Sequence, residues 1–197
     1  MNKNQYIQKN FNISDSVLDL IDRAENDIRP YFQHIDEIAE INQYKVMKAF
    51  SDNRVSETHL LPTTGYGYDD LGRDTLDKVF AQAFEAEDAL VRHTFVNGTH
   101  TITTALYAVL RPGDTLFAIT GKPYDTLEEA IGISGTPGHG SLKDFRIEYC
   151  EAELTSNGLP DFDEIRKVLT SKKIRAVGIQ RSKGYGWRAT YSAEYIG

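Results

Sequence analysis

Apolar and polar positions change rhythm along this chain. Up to about residue 60 they recur every three or four residues. Val17, Leu18, Leu20, Ile21 and Ala24 form one helical stripe, with Ser14 or Asp15 in place to cap it. Arg29-Pro30 predicts a break or kink. A second helix then carries Ile35, Ile38, Ala39, Ile41, Val46, Met47 and Phe50. Neither helix has a strand neighbour, so 1–60 reads as a helical arm, either a small bundle or a surface that packs on another subunit.

The pattern alternates from about residue 61 onward. A loop rich in Gly, Thr, Tyr and Asp leads to a helix expected to start near Asp74, with Leu76, Val79, Phe80, Ala83 and Phe84 apolar. Short apolar runs at 92–96, 115–119, 145–150 and 174–180 read as strands. Helical stretches at 98–110, 126–132 and 161–169 lie between them, and 135–140, with three glycines, reads as a flexible loop. Strands alternating with helices predict an α/β fold, a mostly parallel sheet with helices on both faces. Residues 193–197 look like the first turn of a further helix, and with about four strands the fold is expected to be incomplete, the first part of a larger domain.

Composition narrows the class only a little. The 197 residues carry 26% charged side chains and a net charge of −7, which argues against a nucleic-acid partner. No apolar run reaches the roughly 18 residues of a membrane span, and the N-terminus lacks a secretory apolar segment. With the single Cys150, a cytoplasmic location is expected. The five histidines show no metal spacing, so no metal site is expected.

Candidate chemistry centres on Asn97-Gly98-Thr99, a turn that opens a helix. Backbone N–H groups at such a start, together with the helix dipole, suit a phosphate; a plain tight turn is the alternative. Gly121-Lys122 is not a P-loop, because Leu116 stands where the first glycine is required and Pro123 where Ser or Thr is required. Gly65-x-Gly67 is not a dinucleotide fingerprint, since Asp70 replaces the third glycine. Tyr66, Tyr68 and Arg73 can donate to a phosphate, or Arg73 can pair with Asp69, Asp70 or Asp74. Tyr124 can stack on a planar ligand at the sheet's carboxyl edge, or be an ordinary loop tyrosine.

Three stretches taken in order carry a resemblance: 65–76 (Gly-Tyr-Gly-Tyr-Asp-Asp-Leu-Gly-Arg-Asp-Thr-Leu), 95–100 with 110–114, and 180–188 (Gln-Arg-Ser-Lys-Gly-Tyr-Gly-Trp-Arg). Over about residues 55–197 the chain resembles the opening half of a fold-type I, PLP-dependent transferase-like enzyme of the cystathionine and methionine lyase group. Within that group it is most similar to the methionine gamma-lyase-like "aluminium resistance" proteins.

The resemblance implies pyridoxal 5′-phosphate (PLP) as cofactor and a sulfur amino acid as substrate. It assigns the phosphate-holding turn to Gly98 and Thr99, and the stacking tyrosine to Tyr124. Tyr66, Tyr68 and Arg73 fall in the loop that reaches a neighbouring subunit's cofactor, although the group's Tyr-x-Arg is here Tyr66-Gly67-Tyr68. Ser182 or Arg181 falls near the cofactor's phenolic oxygen. The implied assembly is a homodimer or homotetramer with shared sites. Residues 61–197 would be the first part of the PLP-binding domain.

The group's pyridine-facing aspartate and its cofactor-bonding lysine are expected beyond Gly197, so the catalytic residues are not within these 197. Lys122 and Lys183 do not match that lysine and should keep pKa values near the usual ~10.4. The chain alone is therefore expected to bind PLP weakly, to be inactive and to expose apolar surface. A PLP aminotransferase or aldolase-like enzyme, or a non-catalytic fragment kept for subunit association, are the alternatives.

Overall fold

The computed structural model describes residues 2–64, 66 and 70–197. The chain divides into two units, Met1–Arg92 and His93–Gly197.

The first unit is helical. Helix α1, Lys3–Phe11, opens with a reciprocal cap between Asn2 and Gln5 and ends at Asn12 in the left-handed region. Helix α2, Asp15–Asp52, runs for 38 residues straight through Pro30, against the expected break. A proline removes one backbone hydrogen bond and costs about 3 kcal/mol in a helix interior. Here helix continues for more than three turns on either side, and both ends are anchored. At the start, Asn4 donates to Asp22 and Lys3 pairs with Glu25. At the far end, Ala49 is fully buried and Asn53 donates to Gln82 of helix α3, Leu71–Ala83. Between these anchors Tyr31, Phe32, Ile35, Ile38 and Ile41 stay exposed.

The cap of helix α3 lies four residues before the expected one. Asp70, not Asp74, accepts from Arg73 N at 3.0 Å, while Asp74 pairs with the Arg73 side chain. The expected strand at 92–96 is absent. Val91 N and the Arg92 guanidinium both donate to Asp77 at 2.7 Å, which ties this segment to α3, and a turn follows at 93–94.

The second unit is α/β. Helix α4 spans Gly98–Val109, strand β1 Thr115–Ala118, helix α5 Asp125–Ile131, strand β2 Glu148–Glu151, helix α6 Phe162–Ser171, strand β3 Ala176–Gly178 and helix α7 Ala193–Ile196. The sheet is parallel in the order β2-β1-β3, with Phe117 opposite both Cys150 and Val177. The strands are shorter than the apolar runs suggested. Lys143–Phe145 is a 3-10 turn and Arg146 is left-handed, so β2 begins only at Glu148.

Every residue of β1 is buried, and its side chains alternate between two cores. Leu116 packs with Leu106 and Tyr107 of α4 and with Leu127 and Ile131 of α5. Phe117, fully buried, packs with Ile165 and Val168 of α6 on the opposite face. Helices therefore cover both faces. The geometry has a simple source: β1 runs left to β2 through α5, then β2 crosses back over β1 to β3 through α6. Right-handed crossovers in opposite directions put their helices on opposite faces. The reversal makes a switch point between β1 and β3, where open α/β sheets bind ligands at their carboxyl ends.

The loop at 135–140 is held rather than free. Asp144 accepts from the backbone N–H groups of Gly138, Gly140 and Ser141 at 2.9–3.0 Å, and Tyr107 donates to Gly140 O. Those N–H groups, Gly138 and Ser141 foremost, hold the Asp144 carboxyl down at about 2. A carboxyl depressed on folding contributes stability above its unfolded value and loses it as pH falls through the folded one. Wild type should thus lose melting temperature between about pH 4 and pH 2 more steeply than Asp144→Asn. At neutral pH, hydrogen exchange in Asp144→Ala should speed up at Gly138, Gly140 and Ser141 while the amides of β1 stay protected. Unchanged exchange at those three amides would contradict this role for Asp144.

Candidate functional site

The start of α4 offers donors. The Asn97 side chain accepts from His100 N at 2.9 Å, and His100 Nδ1 in turn accepts from Val96 N at 3.3 Å. This closes the cap and leaves the N–H groups of Gly98 and Thr99 with no acceptor among the described residues. A β-carbon added to Gly98 would meet nothing within 4 Å, so the approach to these donors is open.

A second helix start lies beside the first. Thr99 Oγ1 donates to Thr126 Oγ1 at 3.0 Å, and Tyr124 is the N-cap residue of α5. Gly98, Thr99 and Tyr124 are thereby brought together. The turn from β1 to Tyr124 is built from Thr120, buried, whose Oγ1 accepts from Gln180 N at 2.8 Å, and Gly121, with φ +80°. That bond joins the carboxyl ends of β1 and β3 at the switch point.

A cleft of ≈ 320 Å³ opens there, with Thr120, Lys122, Tyr124, Gln180, Lys183 and Tyr185 in its walls. Tyr124 faces Tyr185 at 5.4 Å between ring centroids, tilted by 33°. The polar contact between the two phenols pushes the Tyr124 hydroxyl above its ordinary pKa. Lys122 is held by Glu128 at 2.8 Å, and this hydrogen bond raises its pKa, so it is more firmly protonated than a free lysine. Lys183 Nζ lies 5.8 Å from the Trp187 ring centroid.

Ser182 is exposed and does not line the cleft, although its neighbours Gln180 and Lys183 do. Its carbonyl accepts from Arg188 and Gln180, and its hydroxyl has no partner among the described residues. Tyr66 and Arg73 belong to the first unit. Tyr66 is almost fully exposed, and Arg73 is paired with Asp74 at 3.0 Å. Tyr68 lies outside the described residues. Thr126 was not singled out by the sequence reading; Asn97 entered it only as part of the turn, and Gln180, Tyr185 and Arg188 only as letters of the 180–188 stretch, with no role given to any of them. An Asn before a helix-opening Gly was the one local signal among them, since the others act through contacts distant in sequence.

No helix among the described residues is long and apolar enough to cross a membrane. No three His, Cys, Asp or Glu side chains among them converge as metal ligands.

The methionine gamma-lyase family model matches residues 17–197. The chain belongs to the methionine gamma-lyase family. It is 48% identical over 168 residues to the uncharacterized protein YnbB of Bacillus subtilis (strain 168), covering 85% of this chain and 40% of YnbB. Among solved structures it is similar to a carbon-sulfur lyase involved in aluminum resistance from Clostridium novyi NT. That match has a TM-score of 0.90 and 46% identity, and covers 100% of this chain and 47% of that one. It is also similar to a Clostridium acetobutylicum protein provisionally named a cystathionine beta-lyase involved in aluminum resistance. There the TM-score is 0.90 and the identity 43%, over 98% of this chain and 46% of that one. The chain thus spans less than half the length of each of these methionine gamma-lyase relatives.

The N–H groups of Gly98 and Thr99 make anion binding at this turn testable. Losing one hydrogen bond to a charged group costs about 1.5–3 kcal/mol, about tenfold to a hundredfold in affinity. In the full-length protein, Gly98→Pro should weaken retention of a phosphate-bearing ligand by that factor in dialysis. Thr99→Ala should weaken it less, since it keeps the main-chain N–H and loses only the tie to Thr126. Equal retention in wild type and Gly98→Pro would displace the phosphate from this turn.

Proposed function

We propose that this chain is the cofactor-holding part of a PLP-dependent carbon–sulfur lyase of fold type I, acting on a sulfur amino acid of the cystathionine or methionine type. Membership of the methionine gamma-lyase family supports the lyase reading, and its solved relatives are named as lyases. The observation that carries the cofactor is the donor set. Two unpartnered N–H groups at the start of a 12-residue helix are tied through Thr99 and Thr126 to the helix capped by Tyr124. A phosphate dianion fits the first and a planar pyridine ring fits the second.

When bound, PLP supplies an electron sink for a carbanion formed on the amino acid. The residues of this chain bind and orient. Gly98 and Thr99 N–H groups would hold the phosphate, and Tyr124 would stack on the ring. The Ser182 hydroxyl, without a partner among the described residues, would be a donor for an oxygen of the cofactor. Lys122 keeps its proton through Glu128, which makes it a poor nucleophile. Tyr66, Tyr68 and Arg73 would serve the cofactor of a second subunit, and the exposed apolar residues of α2 would lie in a homodimer or homotetramer interface. The expected compartment is the cytoplasm.

The full-length protein tests this reading directly. It should purify with or take up PLP and release a keto acid, ammonia and a thiol compound from cystathionine or methionine. Borohydride should fix the cofactor covalently on one lysine. Peptide mapping should place that lysine outside these 197 residues, not at Lys122 or Lys183. Transamination without carbon–sulfur cleavage would overturn the lyase reading, and labelling at Lys122 would overturn the roles given to the cleft.

A further inference from the structure

The segment after β3 is built around one arginine. Arg188 Nη2 donates to Gln180 O at 2.8 Å and to Ser182 O at 2.7 Å. Its Nη1 donates to Ala189 O at 2.9 Å and to Arg181 O at 3.3 Å. The guanidinium lies 4.0 Å from the ring centroid of Tyr191, itself buried, whose hydroxyl donates to Gly158 O at 2.7 Å. A second tie runs between Arg181 and Tyr191: Tyr191 N donates to Arg181 O and Arg181 Nε donates to Tyr191 O. One planar fork thus gathers four carbonyls of a loop that has no regular secondary structure.

The loop so gathered presses on Tyr124. Gly184 has φ +56°, and a β-carbon there would come within 3.2 Å of Gln180 Nε2 and 3.3 Å of the Tyr124 ring. The bare Cα lets the backbone pass against the edge of that ring. Tyr185 follows and lays its own ring on Tyr124 at 5.4 Å, although 81% of its surface faces solvent. Tyr124 is the one aromatic ring that Tyr185 meets among the described residues.

We propose that Tyr185, delivered by the Arg188-gathered loop 180–188, is a positioning residue that fixes the ring of Tyr124 for stacking on the planar cofactor. This rests on the PLP reading above and adds to it. Tyr124 has no other aromatic partner among the described residues. Its ring is held between the Gly184 backbone and the Tyr185 ring, so its torsion is set from β3 rather than from its own helix. Tyr185 and Arg188 act through Tyr124.

The test uses the full-length protein loaded with PLP. It measures the rate of cofactor loss on dilution into a phosphate-free buffer with a PLP trap, and the induced circular dichroism of the bound cofactor. An aromatic pair of this kind should be worth about tenfold in the rate of loss. Tyr185→Ala and Arg188→Lys should each release PLP about tenfold faster and weaken the induced dichroism, because lysine cannot span four carbonyls. Tyr185→Phe keeps the ring contact and should stay within about twofold of wild type. Tyr185 is an exposed loop residue, so Tyr185→Ala should fold even if Arg188→Lys does not. If Tyr124→Ala releases the cofactor while Tyr185→Ala holds it with an unchanged dichroic signal, the proposal is overturned. If Tyr124→Ala also behaves as wild type, the stacking reading itself fails, and this proposal with it.

Discussion

The second unit depends on one strand. Thr115–Ala118 is buried along its whole length, hydrogen-bonded on both edges and packed on both faces. Phe117 alone, with a fully enclosed ring, contributes about 1.5–3 kcal/mol by burial. Because β1 is central, its carboxyl end is fixed from four directions, and whatever follows it inherits that rigidity. Thr120, Gly121 and Tyr124 follow it. The bond from Gln180 N to Thr120 Oγ1 passes the same constraint to the end of β3. The cleft between these two ends is therefore assembled by the sheet, and its side chains come from loops that the sheet holds in register.

The starts of α4 and α5 lie side by side, and the second, at Tyr124, borders that cleft. A helix N-terminus carries unpaired donors and partial positive charge. Placing the starts of α4 and α5 side by side, joined by the hydroxyls of Thr99 and Thr126, concentrates both. Lys122 stays protonated but is matched by the Glu128 carboxylate, so the donors here are backbone N–H groups and not a net positive charge.

Much of this was legible in the sequence where the signal was local. The alternation of apolar runs with helical stripes gave the parallel sheet covered on both faces, and Asn97-Gly98-Thr99 gave the donor turn. The misreadings came where a distant contact outweighed a local preference. Pro30 should break a helix, yet α2 continues because its two ends are anchored on α1 and α3. Residues 92–96 have strand composition, but Asp77, fifteen residues before Arg92, captures the backbone and side chain at their start. Asp74 looked like a cap and Asp70 is one, a four-residue shift that Arg73 N decides. Helix α1 passed unnoticed although Asn2 and Gln5 have the spacing of a reciprocal cap. Tyr185 and Arg188 were visible as letters of a motif, but their roles depend on Tyr124, about sixty residues earlier.

The two lysines near the cleft show why holding a cofactor and reacting with it need different environments. A nucleophilic lysine must lose its proton near neutral pH, which requires desolvation or nearby positive charge. Lys122 has the reverse, a carboxylate at 2.8 Å that favours the charged form. The ion pair that disqualifies it as a nucleophile also commits its charge to Glu128, which leaves the backbone N–H groups as the anion donors. The cleft therefore reads as a binding surface throughout: donors that stay donors, a lysine that stays charged, and an aromatic ring braced from behind. None of these groups has to change protonation state for the site to hold its ligand. Under the proposed function, that separation would leave the carbanion chemistry to the cofactor and to residues contributed elsewhere, while this chain would hold the ring and phosphate.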